Sequence, residues 1–197
     1  MNRGLWFLVA LGVIGAIIYF NAKGTFNKMV TSQEGVEAQW AQVENQYQRR
    51  ADLIPNLVET VKGYKDFESE TLTGVAEARS KVGQLTVSKE VLENPELMAR
   101  FSDAQNELGQ VLNRLMSVAE SYPDLKANEG FSDLRIQLEG TENRISVARD
   151  RFNEAARAHN TMVKLFPNNI WAGIFDMDEV SYFQSAQGTE QAPKVEF

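Results

Sequence analysis

An uncharged, apolar segment, Leu5–Phe20, lies near the start of a chain whose remaining sequence is mostly polar. Since a helix rises about 1.5 Å per residue and the hydrocarbon core of a bilayer is about 30 Å thick, this segment is short but sufficient to span a membrane. Trp6 and Tyr19 lie near its two ends, where amphipathic aromatic side chains favour the membrane–water interface. The sequence therefore predicts that residues 1–24 form a single-pass membrane anchor for a helical body.

A cleaved signal peptide is the alternative to an anchor, because it also has a basic start and an apolar stretch. Its cleavage site needs small residues, and the large ring of Phe20 occupies one of these positions here. The pattern therefore favours a retained anchor. Gly12 and Ala16 are small residues one turn apart, which would let two anchors pack closely. One arginine precedes the segment and two lysines follow it, so the side of the membrane that holds the body stays open.

The chain is acidic, with a formal net charge of −7 at pH 7. Proteins that bind nucleic acids need clustered lysine and arginine side chains to contact phosphates, so we expect no nucleic-acid partner. About 170 residues follow the anchor, which is enough for one domain with a hydrophobic core.

Apolar residues recur every three or four positions along three long segments, as is typical of amphipathic helices. These patterns extend over residues 36–82, 97–122 and 131–166. Asn94 and Pro95 favour the start of the second helix, and prolines end the second and third patterns. No alternating strand pattern of useful length occurs. The sequence therefore predicts an all-α body over residues 25–166.

Pro55 leaves two arrangements of the first pattern open. Proline disrupts a helix interior by ~3 kcal/mol or more, and Asp52 is well placed to cap a new helix at Leu53. A turn at this point divides the body into helices over residues 26–51, 53–83, 95–122 and 128–166. These helices would form an antiparallel up-and-down four-helix bundle, which is the arrangement we favour.

Without that turn the body has three long helices, and the first has a consequence for assembly. Part of its apolar stripe would lack an intramolecular partner, so another subunit would have to cover it. These candidate interaction residues are Val36, Trp40, Val43 and Tyr47.

The segment after the third pattern, residues 167–184, is apolar and aromatic but too short to span a membrane. One interpretation is a cap over the open end of the bundle. The other is a segment that contacts a partner or the membrane. Its candidate interaction residues are Trp171, Phe175, Tyr182 and Phe183. Residues 185–197 are polar with glycine and proline and are predicted to be disordered.

No catalytic, metal-binding or cofactor-binding pattern occurs in the sequence. Cysteine is absent and histidine occurs once, as His159, which excludes zinc sites built on these residues and the Glu-x-x-His motif of di-iron bundles. A hydrogen bond at the edge of the core explains a mid-helix histidine better than a Ser-His-Asp triad does. We therefore expect no enzyme, no metal and no cofactor.

The string QYQRRADLIPNLV, residues 46–58, closely resembles the signature of the LemA family. FNKMV at residues 26–30 resembles the family's Tyr-Asn-x-Leu-Val with two substitutions. ENRI at residues 142–145 and FPNN at residues 166–169 agree with its later segments, so the resemblance extends over about residues 20–185. The candidate structural residues within the matching strings and the last long helix are Arg49, Arg50, Asp52, Pro55, Asn56, Arg144, Asn153 and Asn160.

The resemblance implies a helical bundle anchored in the bacterial cell (inner) membrane, from a family without an established enzymatic activity. One branch is associated with magnetosome membrane formation, which indicates a scaffold or membrane-organising role. Our first hypothesis is a non-enzymatic scaffold or adaptor that forms homo-oligomers or recruits other membrane-associated proteins. The alternative is a sensor module that binds a small ligand or a peptide at the membrane.

Overall fold

A computed structural model describes residues 3–64, 68–85 and 89–184 of the chain. All regular secondary structure within these ranges is helical, which confirms the predicted all-α class. The helices in chain order are α1 (Arg3–Lys62), α2 (Ser69–Gln84), α3 (Lys89–Glu93), α4 (Pro95–Ala119), α5 (Pro123–Lys126), α6 (Glu129–Lys164) and α7 (Asn168–Phe175). The tail that was predicted to be disordered, residues 185–197, lies outside the described residues.

The first helix runs without interruption from the apolar segment into the body and contains 60 residues. At about 1.5 Å per residue, α1 is about 90 Å long. In the described part of the chain it is the one helix that is long and apolar enough to cross a membrane. The large apolar side chains of Leu5–Phe20 are 51–68% exposed, so the bundle does not cover this part of α1.

Pro55 lies inside α1, and the predicted turn near Asp52 is therefore wrong. Asp52 caps no helix, because it lies in the interior of α1. Its carboxylate accepts a hydrogen bond of 2.8 Å from the side chain of Gln48, one turn earlier. The chain leaves α1 at Gly63 instead, and α2 begins at Ser69.

Apolar burial on both sides of Pro55 explains why the helix continues. Proline in a helix interior costs ~3 kcal/mol or more, because it removes a backbone hydrogen bond and crowds the preceding turn. Ile54, Leu57 and Val61 are each at most 1% exposed, and burial of one such side chain contributes ~1.5–3 kcal/mol. A continuous helix keeps all three side chains on the buried face, which offsets the cost of the proline.

Four helical segments form the body, as favoured from the sequence, but with different boundaries. The part of α1 beyond residue 25 packs against α6, while α2 and α3 follow each other along α4. Trp40 of α1 contacts Phe152 of α6, and Arg50 further along α1 contacts Glu142, so the two helices are antiparallel.

The hydrophobic core forms three layers along α1. The layer nearest the apolar segment contains Met29, Val163 and Ala172. The middle layer is rich in aromatic side chains from α1, α4 and α6, and it includes residues of the segment after α7. The layer furthest from the apolar segment joins the end of α1 to α2, α4, α5 and the start of α6.

The stripe that was predicted to need a second subunit belongs to the middle layer. Its four side chains are at most 6% exposed within the single chain: Val36, Trp40, Val43 and Tyr47. The expectation that an unbroken α1 leaves this stripe uncovered is therefore wrong. With 36 residues, α6 is long enough to extend along the whole part of α1 that lies in the body.

Replacing Trp40 by alanine should lower the free energy of unfolding by ~3–5 kcal/mol, because the large side chain is 5% exposed and its loss leaves a cavity. Urea unfolding of the full chain in detergent, followed by circular dichroism, would measure this. Ile136 on α6 is 59% exposed, so Ile136→Ala is a control that should change stability by less than ~0.5 kcal/mol. Equally small effects of both substitutions would contradict the place of Trp40 in the core.

Candidate functional site

An extended segment, residues 176–184, follows α7 and lies along α6; we call it the C-terminal strap. It begins at Asp176, whose positive φ of 55° is the left-handed conformation that ends α7. The backbone N–H of Ser181 donates a hydrogen bond of 2.8 Å to the carbonyl oxygen of Leu92 in α3. The strap therefore lies between α6 and α3.

Two asparagine side chains of α6 bind the backbone of the strap. The Asn160 amide donates to the carbonyl oxygen of Val180 and accepts from its N–H, both at 2.8 Å. Asn153 forms the same pair of bonds with Phe183, at 3.0 and 2.9 Å. The asparagines lie about two helical turns apart, a distance of about 10 Å. An extended chain covers about the same distance between the two bound residues, so the spacing suits an extended peptide.

His159 lies beside Asn160 and is a third side chain of α6 that contacts the strap. It is buried, and its Nε2 lies 3.0 Å from the carbonyl oxygen of Asp178. The interpretation of this histidine as a hydrogen-bonded residue at the edge of the core is therefore confirmed.

The apolar side chains of the strap complete the middle layer of the core. Phe183 is buried, with its ring stacked on Trp40 at a centroid distance of 5.7 Å and edge-on to Phe152 at 5.5 Å. Val180 is also buried in this layer. The strap thus fills a groove along the bundle rather than capping its open end, and Phe183 does not lie on an exposed surface.

Arg50 connects three helices in the interior of the bundle. The side chain is 3% exposed, and its Nη1 donates to Glu142 of α6 at 2.9 Å. Its Nη2 donates to the backbone carbonyl of Gln105 in α4 at 3.0 Å and also to the side-chain carbonyl of that residue. The guanidinium carbon lies 5.1 Å from the ring centre of Tyr47, within the range of a cation–π contact.

The remaining candidate structural residues do not converge on Arg50. Arg49 and Asn56 are exposed on α1, and Arg144 is exposed on α6. Sequence reasoning did not single out Gln105, because one polar residue beside an apolar stripe carries no signal of its own. Glu142 has a signal, since it begins the ENRI string of the resemblance.

The hydroxyl group of Tyr47 is a titratable group near Arg50 whose pKa is shifted. Burial raises the pKa of the Tyr47 hydroxyl above its ordinary value, although the positive charges of Arg149 and Arg50 act in the opposite direction. Tyr47 therefore stays protonated near neutral pH.

A cavity of about 310 Å³ lies next to Arg50 between α4 and α6, with Arg135 and Glu139 among its lining residues. Among the described residues, no group of three histidine, aspartate or glutamate side chains is placed to hold a metal.

Comparison with known proteins supports the resemblance seen in the sequence. A family model described as LemA family matches residues 39–197, which include most of the body and the strap. The chain belongs to the LemA family. This assignment confirms the resemblance, although the matched range begins beyond the apolar part of α1.

Individual relatives give matches over most of the chain. Protein LemA of Metamycoplasma hominis is 25% identical over 93% of this chain and 78% of its own length. Magnetosome protein MamQ 2 of Paramagnetospirillum magneticum is 25% identical over 81% of this chain and 64% of its own length. Magnetosome protein MamQ of Magnetospirillum gryphiswaldense is 23% identical over 93% and 74%. The alignment thus spans less than two thirds of MamQ 2.

The other aromatic candidates of this LemA family chain lie away from the middle layer. Trp171 is half-buried, and its indole N–H donates to the Asn21 side chain at 3.1 Å. The Phe175 ring meets the ring of Phe26 edge-on, with centroids 4.9 Å apart. Tyr182 is 40% exposed on the strap. Two of the four predicted residues therefore lie on α7, beside residues 21–26 of α1, and the other two lie on the strap.

Asn160→Ala should release the strap from α6. The substitution leaves a buried N–H and a buried carbonyl group of Val180 without partners, at ~1–3 kcal/mol. Hydrogen exchange of the full chain in detergent should show that the amides of Val180 and Phe183 lose protection, while amides in α4 keep it.

Asn45→Ala is the matched control, because Asn45 is exposed on α1. We expect this variant to exchange at the strap as the unsubstituted chain does. Unchanged protection at the strap in Asn160→Ala would contradict the role of this amide in holding it.

Proposed function

We propose that this LemA family protein is a non-enzymatic scaffold or adaptor of the bacterial cell (inner) membrane that self-associates or recruits protein partners. The observation that carries the proposal is the continuity of α1, which joins the apolar segment to the core through one helix of 60 residues. No flexible linker separates the two parts. The helix would therefore hold the body at a fixed height above the bilayer, as a scaffold requires.

The polar interior of the bundle supports a structural role rather than a catalytic one. The amide groups of Asn153 and Asn160 bind the strap, and the Nη atoms of Arg50 bind Gln105 and Glu142. These groups are thus engaged by the protein's own atoms. The relatives named as magnetosome proteins are a further reason for proposing a membrane-organising role for this chain.

Self-association can be tested by the mass of the full-length protein in mild detergent, measured by light scattering. We expect a discrete assembly with more than one copy. Gly12→Leu with Ala16→Leu is the matched variant, because both residues lie on the exposed apolar part of α1 and outside the body. Loss of the assembly in this variant would place the contact between anchors, and its persistence would place the contact between bodies.

Monomers at all protein concentrations would contradict self-association. Recruitment of other proteins would then be tested by cross-linking the full-length protein in native membranes. A defined partner that is captured by the unsubstituted protein in stoichiometric amount would support it, and capture of no such partner would exclude it.

The strap favours a second candidate function, a peptide-binding module. Asn153 and Asn160 contact only backbone groups of the strap, so these contacts would accept other sequences. The selectivity would come from the buried sites of Val180 and Phe183. A partner with an apolar residue, two variable residues and an aromatic residue in an extended segment would fit the same groove.

This second function predicts that a labelled peptide of residues 176–184 binds a full-length Val180→Asp, Phe183→Asp double variant, whose own strap should leave the groove while Asn153 and Asn160 remain in place. The unsubstituted chain should bind it far more weakly, because its own strap competes at an effective concentration in the millimolar range, by order of magnitude. Fluorescence anisotropy measures both. A peptide with aspartate in place of Val180 and Phe183 is the control, and equal binding of the two peptides would contradict a specific groove.

A further inference from the structure

Four exposed apolar side chains lie at the end of the body near the apolar segment. We call this cluster the α7 patch, and its residues are Leu165, Phe166, Ile170 and Ile174. They are 51–80% exposed, and none of them belongs to a core layer. Ile170 and Ile174 lie one turn apart on α7, so they share one face of that helix. No residue of α7 carries a charge.

The contacts of α7 with α1 fix the position of the patch relative to the apolar segment. Trp171 hydrogen-bonds Asn21, which directly follows Phe20, the last residue of that segment. At the other end of α7, Phe175 meets Phe26. The helix therefore lies beside residues 21–26, within about 10 Å of the end of the apolar segment along the α1 axis.

This position coincides with the headgroup region of a bilayer. The polar regions add about 5–8 Å on each side of the hydrocarbon core. Tryptophan also favours this depth, and Trp171 lies on α7 itself.

The two faces of α7 have different environments. Ala172 on one face packs in the core layer with Met29 and Val163, which attaches the helix to the body. The face with Ile170 and Ile174 points away from this layer and is exposed. Two exposed lysines of α1 lie at the same level, Lys23 and Lys28, where they would meet anionic headgroups.

We propose that the α7 patch is a second membrane contact, which inserts Phe166, Ile170 and Ile174 into the surface of the bilayer that α1 spans. The occupant is lipid rather than another protein, because Trp171 and Phe175 hold the patch beside residues 21–26, directly after the apolar segment that spans the bilayer. Two contacts fix the tilt of the body, which a single spanning helix leaves free. The proposal rests on α1 spanning the membrane and not on the scaffold role, so the two can fail separately.

The absence of cysteine from the chain allows a direct test with single spin labels. Full-length Ile170→Cys and Ile174→Cys proteins would be labelled with a nitroxide and placed in nanodiscs of phosphatidylethanolamine and phosphatidylglycerol. Power saturation then compares collisions with oxygen, which concentrates in lipid, and with a water-soluble nickel chelate. Ile136→Cys is the control, since Ile136 is 59% exposed, close to Ile170 at 51% and Ile174 at 62%, and lies on α6 far from the anchor.

We expect the ratio of oxygen to nickel accessibility at both α7 sites to exceed that at the Ile136 site severalfold. Equal, water-like ratios at all three sites would overturn the proposal. Low accessibility to both reagents, with magnetic broadening between labels on different copies, would also overturn it, because a second chain would then cover the patch.

A second measurement without spin labels tests whether the nitroxide itself draws the labelled site into the bilayer. In a full-length Trp6→Phe protein, the remaining tryptophans are Trp40, which is buried in the body, and Trp171. Lipids brominated near the headgroup end of their chains should quench the fluorescence of Trp171. The quenching should disappear when Trp171→Phe is added, and an absence of quenching before that substitution would overturn the proposal.

Discussion

Antiparallel packing of α6 along the body part of α1 positions the other elements of the structure. It places Trp40 against Phe152, brings Arg50 to Glu142, and creates the surface on which the strap lies. It also explains why α1 can be so long. In the body, α6 covers the apolar face of α1 over its full height. The proline at position 55 then costs less than a break in the buried face would.

The buried arginine fixes the register between α1, α4 and α6. Apolar contacts are not directional and would tolerate sliding of one helix along another. Hydrogen bonds from one guanidinium to Gln105 and Glu142 tolerate little displacement, since their geometry is narrow. Glu142 keeps much of its side chain exposed, so the pair avoids the full cost of burying two charges. The resulting register places Asn153 and Asn160 in the groove, where they bind the strap.

The sequence predicted the helical class and a helix that is long and apolar enough to cross a membrane, because these depend on local periodicity and length. The place of the first turn was not predictable from Pro55, since the outcome depended on the burial of Ile54, Leu57 and Val61 by distant helices. For the same reason the expectation that an unbroken α1 leaves Trp40 uncovered was wrong. Asn153 and Asn160 were recognised as candidate structural residues, but their backbone partners lie twenty or more positions away, beyond any local pattern.

The strap and the α7 patch share one short stretch of chain but are held by separate contacts. The asparagine amides and the pockets for Val180 and Phe183 hold the strap, whereas Trp171 and Phe175 attach α7 to α1. The junction is Asp176, whose left-handed conformation ends the helix before the strap begins. Displacement of the strap from its groove therefore need not detach α7 from the anchor. Under the two proposals, the body would exchange a peptide while its orientation on the membrane stays fixed.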